Sequence, residues 1–214
     1  MPLVVGGDCT ITLGVVAGFA RHGADVGLLS FDGDADLSTP ASTGSGVLDS
    51  MVVAHLLGEG APELTGLGSR VPLLAADRLL LFGFHDPDDL GEAQQALLAR
   101  PAPAARVREV PGGSRAAADA LAELEARAAT VVVHFDVDVV DTGDLPPANF
   151  PHFNQGLALV DALGCLEVFP ASDRLGGVVV TEVNPDHDPD GTQLGRLVDG
   201  LVAALARRGP ARTA

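Results

Sequence analysis

Short runs rich in valine, leucine and phenylalanine alternate along the chain with longer stretches whose apolar residues recur every three or four positions. The runs, at Leu3–Val5, Val26–Phe31, Arg78–Phe84, Val107–Val110, Thr130–Phe135 and Gly177–Val183, predict strands. The periodic stretches, at Ile11–Arg21, Val47–Leu57, Leu90–Ala99, Arg115–Ala128, Ala158–Val168 and Gln193–Arg207, predict helices. Ser114 and either Asp188 or Asp190 stand where two of those helices need N-caps. Strands apolar at every position, rather than at alternate ones, are covered on both faces, so the pattern predicts an α/β fold with a mostly parallel sheet between helices. Pro101–Pro103 reads as a surface connection, and without a repeat or a composition shift the chain reads as a single domain over residues 1–214. Because it opens directly in a strand, a missing N-terminal strand and helix portion is expected.

With 47% hydrophobic and 20% charged residues over 214 positions and a mean hydropathy of +0.28, the chain can bury a sizeable core. Thirteen basic residues, all arginine, face 29 acidic ones, for a net charge of −16. That balance, with no Tyr or Trp to stack on bases, excludes a general nucleic-acid binder. The lack of lysine removes Schiff-base and Walker-type phosphate chemistry. Cys9 and Cys165 are too few for a disulfide framework, which suits a reducing cytoplasm. No basic leader opens the chain and no apolar run reaches the roughly 18 residues of a membrane span, so no membrane partner is expected.

Ligands of open α/β sheets bind beyond the carboxyl ends of the strands, and three such ends are acidic. Asp32, Asp34 and Asp36 alternate after Val26–Phe31, on one side if the strand conformation continues; Asp136 and Asp138 alternate after Thr130–Phe135; Glu182 ends the last run. Like charges about 4 Å apart repel by roughly 1 kcal/mol in water and more when buried. A divalent cation, or two sharing an activated water, resolves the repulsion, and an oxygen-rich donor set suits manganese, magnesium or calcium. A lone D-x-D is more often a solvated loop; two of them with a third acidic strand end are not.

Four ordered segments resemble the ureohydrolase superfamily of arginases, agmatinases and formiminoglutamases. They are Gly6-Gly7-Asp8-Cys9-Thr10, Asp32-Gly33-Asp34-Ala35-Asp36, His134-Phe135-Asp136-Val137-Asp138 running on to Asp141, and Glu182-Val183-Asn184-Pro185. Leu37–Pro40 and Ser45-Gly46 resemble a further stretch of the same family. The resemblance implies a three-layer sandwich with about eight strands and two manganese ions. Asp32 and Asp136 would bridge them, with Asp36 and Cys9 completing one site and Asp34 and Asp138 the other. Glu182 would face a guanidino or amidino substrate, with Asn184 and Ser45 also at the substrate, and an activated water would attack the guanidinium carbon to release urea or a substituted urea. A homo-oligomer, trimer or hexamer, is the family's habit.

The departures point to an atypical branch. Cys9 and Asp34 replace the family's two metal-binding histidines, and Asp49 stands where a third histidine is credited with proton transfer, which puts Asp34, Asp49 and Glu182 forward as the catalytic residues. Cys9 reads either as a ligand or as a small inert buried residue. Asp49 reads either as part of the site or as a helix N-terminal carboxylate. His134 occupies a family serine position beside the site, His85 sits in a rim loop, and His22, His55, His152 and His187 have no motif around them. One rival is a degenerate ureohydrolase fold serving as a binding or oligomer subunit. Another is a haloacid-dehalogenase-like phosphohydrolase, suggested by Val131–Thr142 but lacking that family's basic residue.

Overall fold

A computed structural model describes residues 1–68, 70–84, 90–99, 104–105, 113–150 and 152–206. In chain order the elements are β1 (Leu3–Val5), α1 (Ile11–Arg21), β2 (Val26–Phe31), α2 (Val52–Leu56), α3 (Pro62–Thr65), β3 (Leu79–Phe82), α4 (Glu92–Leu98), β4 (Ala104–Ala105), α5 (Ser114–Glu125), β5 (Thr130–Asp136), α6 (Leu159–Leu166), β6 (Leu175–Thr181) and α7 (Thr192–Leu205). The six strands form one sheet in the order β1-β6-β5-β2-β3-β4, every pair parallel.

Both faces of that sheet are buried, as the unbroken apolar runs require. Leu29, Phe31, Val131, Val133 and Phe135 pack with α5, α6 and α7; Val26, Leu28, Val132 and Val179 pack with α1, α2 and α4. Six strands stand among the described residues, where about eight were expected. The expected Val107–Val110 strand and the Pro101–Pro103 connection lie outside the described residues, as does His85; the strand paired with β3 is Ala104–Ala105.

Where boundaries moved, the backbone supplies the reason. β3 stops at Phe82 because Gly83 turns to φ +96°, and a Cβ there would lie 2.7 Å from Val139 Cγ2. β6 stops at Thr181 because Glu182 takes φ +63°. The expected Val47–Leu57 helix shrinks to a 3-10 turn at Asp49–Met51 followed by α2, since Val47 and Leu48 stay exposed. Ser114 is the first residue inside α5 rather than its cap, whereas Asp188 and Asp190 both serve α7, accepting from the backbone N–H of Leu194 at 2.7 Å and Thr192 at 2.9 Å.

Phe31 sits at the centre, with its ring 5.0 Å from that of Phe82 and 5.4 Å from that of Phe135. Truncating it to alanine removes a fully buried ring, an expected cost of about 3–5 kcal/mol. For a chain of this size that lowers Tm by roughly 6–20 °C, measurable by thermal denaturation; a shift under a few degrees contradicts the packing.

Candidate metal centre

The parallel sheet brings the ends of β1, β2, β5 and β6 side by side, and the backbone ties their loops together. The Gly6 N–H donates to the Val180 carbonyl at 3.1 Å, Glu182 N–H to Gly7 at 2.8 Å and Asp32 N–H to Phe82 at 3.0 Å. These contacts tie the loops after β1, β2 and β6 to their neighbours.

A first cluster joins Cys9, Asp32, His134 and Asp136, whose ligand atoms all lie within 4.8 Å of one another, all buried. The Cys9 thiol donates to Asp136 Oδ2 at 2.6 Å, and its Sγ lies 3.2 Å from His134 Nε2 and 3.9 Å from Asp32 Oδ2. Cys9 is therefore a polar participant rather than inert packing, unlike Cys165, which is buried in the apolar core between the sheet and α6. A second cluster joins Asp34, Asp138 and His152. His152 Nε2 is 3.4 Å from Asp34 Oδ2 and 3.7 Å from Asp138 Oδ2. Asp34, Asp36 and His152 line a pocket of about 310 Å³ with Gln94 and Phe84.

The three aspartates after β2 do not share one side, because the strand ends at Phe31. Asp32 and Asp36 are buried while Asp34 is exposed, and Asp36 takes φ +49°. Asp36 remains in the electrostatic field of Asp32 and Asp136, but it belongs to neither cluster; His134 stands in the first cluster where Asp36 was expected.

Asp49 and Glu182 form a third group with Cys9. Asp49 Oδ1 accepts the Cys9 backbone N–H at 2.9 Å, so this carboxylate touches the site as well as opening its 3-10 turn. Glu182 is 3% exposed, and among the described residues no hydrogen bond reaches its Oε1. The side chain of Asn184 is engaged locally: its Oδ1 accepts from Asp186 N–H at 3.0 Å and its amide donates to Asn149 Oδ1 at 3.1 Å. It shapes the loop carrying Glu182. Ser45 is exposed and hydrogen-bonds within its own turn, to Thr43 and Val47. Neither joins the clusters.

Burial, then mutual repulsion, pushes Asp32, Asp36 and Asp136 well above the usual carboxylate range. Burial and the charge of Asp32 bring Asp138 up to about 7; burial and Asp49 bring Glu182 up to about 7. Burial drives the Cys9 thiol up and the His134 imidazole down. Burial opposes the charge on His152, but its hydrogen bonds to Asp138 and Asp34 outweigh that and raise it to about 10. Buried carboxylates crowded this way fit a bound divalent cation, which would supply the missing positive charge.

Two participants had little or no motif. His134 was expected beside the site but not as a ligand, although period two along β5 puts it on the face of Asp136. His152 carries no local signal; only the tertiary fold brings it to Asp138. His55 is structural, a fully buried residue whose Nδ1 lies 2.8 Å from the Met51 carbonyl, while Nε2 accepts from Ala61 N–H at 3.1 Å.

A sequence model of the Arginase family matches residues 1–206. The chain is 30% identical to an arginase of Brevibacillus brevis over 190 residues, covering 87% of this chain and 62% of that one, so it spans under two thirds of that relative's length. It is 30% identical to human Arginase-1, over 97% of this chain and 67% of that one. Arginase from Bacillus subtilis superposes with a TM-score of 0.86 at 25% identity, over all of this chain and 72% of that one. The fold agrees with these likenesses, and the chain belongs to the arginase family.

Proposed function

We propose that this chain is a metal-dependent hydrolase of the C–N bond of a linear guanidine or amidine, releasing urea or a substituted urea. Glu182 carries the reading: a buried carboxylate with one oxygen lacking a protein partner, beside Asp49 and the first cluster, suits the paired N–H groups of a planar cation. Bound substrate would supply the positive charge that burial and Asp49 deny it, keeping the carboxylate ionised. Its φ of +63°, a strain of about 1–3 kcal/mol, is of the kind proteins keep where a side chain must be aimed. Two divalent cations, manganese by resemblance, would be held by Cys9, Asp32, Asp136 and His134 and by Asp34, Asp138 and His152, and when bound would make water nucleophilic near neutral pH. Asp49 fixes the Cys9 backbone and, with its pKa raised by burial, can hold a proton beside Glu182. A homo-oligomeric state, trimer or hexamer, and a cytoplasmic setting complete the reading.

The test is urea release from arginine, agmatine, guanidinobutyrate and N-hydroxyarginine by metal-loaded protein. Glu182→Gln is expected to lower kcat/KM by about 100-fold, the loss of a charged pair of hydrogen bonds worth roughly 3 kcal/mol. A degenerate binding or oligomer subunit is the second reading, favoured by one observation: His152 Nε2 lies 3.4 Å from Asp34 Oδ2 and 3.7 Å from Asp138 Oδ2, an ion-pair geometry that satisfies this cluster without a metal. Metal uptake without turnover on any guanidine supports that reading.

A further inference from the structure

We propose that Cys9, Asp32, His134 and Asp136 form a thiolate, imidazole and dicarboxylate site for a zinc-type cation, with His134 supplying its nitrogen donor from inside the sheet. The proposal shares with the hydrolase reading only the requirement that this cluster hold a metal. Its donors are already spaced for one. Cys9 Sγ to His134 Nε2 is 3.2 Å, His134 Nε2 to Asp32 Oδ2 is 3.3 Å and Cys9 Sγ to Asp32 Oδ2 is 3.9 Å. A tetrahedral zinc, with nitrogen and oxygen near 2.0–2.1 Å and sulfur near 2.3 Å, sets its donors about 3.3–3.6 Å apart. The shorter 2.6 Å contact from Cys9 to Asp136 is a thiol hydrogen bond, which opens once the thiol proton is replaced by a cation. Donor chemistry then selects the ion. Thiolate and imidazole favour zinc, cobalt or iron, whereas manganese favours oxygen-rich sets such as the acidic strand ends suggested.

The surroundings orient each donor. His134 Nδ1 lies 2.8 Å from Thr12 Oγ1 on α1, which fixes the ring and leaves Nε2 facing the cluster. Thr181 Oγ1 lies 3.3 Å from Cys9 Sγ and donates to Asp136 Oδ2 at 3.2 Å. Asp136 Oδ1 accepts from Asp138 N–H and Asp32 Oδ1 from Asp34 N–H, both at 2.8 Å, so each carboxylate turns its Oδ2 toward Cys9. All four donors are at most 3% exposed. Four protein donors fill a tetrahedral ion, whereas the Asp34, Asp138 and His152 cluster has three and opens on the 310 Å³ pocket. The first position thus clamps β1, β2 and β5 together, and exchange with solvent falls to the second.

X-ray absorption on the zinc-loaded full chain is expected to show one sulfur neighbour at about 2.3 Å, and the cobalt-loaded chain a thiolate-to-cobalt charge-transfer band. Cys9→Ser should remove both. His134→Gln should keep the band, which also reports that the chain is folded, while lowering the imidazole scattering to the share from His152 in the second cluster and weakening zinc binding about 10–100-fold or more. Bound metal with only oxygen and nitrogen neighbours, or a sulfur signal that survives Cys9→Ser, overturns this donor set and leaves the hydrolase reading standing. Imidazole scattering unchanged in His134→Gln overturns the role of His134. Failure to bind zinc, cobalt or manganese overturns both proposals.

Discussion

Asp136→Asn is expected to abolish metal retention, with affinity lower by at least about 100-fold, since removing even a residue behind a metal ligand costs 10–100-fold. Asp136 is the meeting point of the site, touching Cys9 and Thr181 through Oδ2 and the Asp138 backbone through Oδ1. Asparagine keeps the shape and the acceptor for Asp138 N–H, so the turn at Val137–Val139 should form as before. It removes the charge and offers an amide in place of one ligand oxygen. The same substitution should raise the Tm of chelator-treated protein, because it relieves the repulsion among Asp32, Asp136 and Asp138. Opposite signs in the two states distinguish a ligand from a structural residue. Elemental analysis alongside thermal denaturation reads both, and full metal content in the variant removes Asp136 from the centre.

Metal removal should leave a protein whose stability falls as pH rises. A buried Asp138 that titrates at about 7, against an ordinary aspartate near 4, binds more protons folded than unfolded in that interval. Folding stability therefore drops across it, by about 4 kcal/mol from this group alone. Asp32, Asp36 and Asp136 are shifted the same way. His152, raised to about 10, contributes stability present below its ordinary value of about 6.5 and lost as pH climbs toward 10. His134, lowered by burial, acts in the opposite direction just below that ordinary value. With metal bound the carboxylates are ionised and matched, so the profile should flatten. At a free metal concentration about 1,000 times Kd the gain is about 4 kcal/mol, roughly 8–16 °C in Tm for a chain of this size. The gap between loaded and chelated protein should widen from pH 5 to 8; a constant gap places the acidic repulsion elsewhere.

The sequence by itself determined the layered fold, because apolar runs without alternation can only be strands covered on both faces, and β2 and β5 came out within a residue of their observed ends. It also placed Asp32, Asp136, Asp138 and Glu182 at or just beyond strand ends, where neighbours in sequence remain neighbours in space. What ended the elements was harder to read, since Gly83 and Glu182 act through a positive φ that the apolar pattern does not register. Tertiary structure alone decided how the acids were divided: the turn after Phe31 sent Asp34 to His152 and set Asp36 apart from both clusters. It also decided that histidines outside the expected positions would face those acids, His134 from within a strand and His152 from a loop separated from Asp138 in sequence. Spacing along the chain specifies which side of a strand a residue occupies, but contacts between a loop and a distant strand end depend on how the whole sheet is packed.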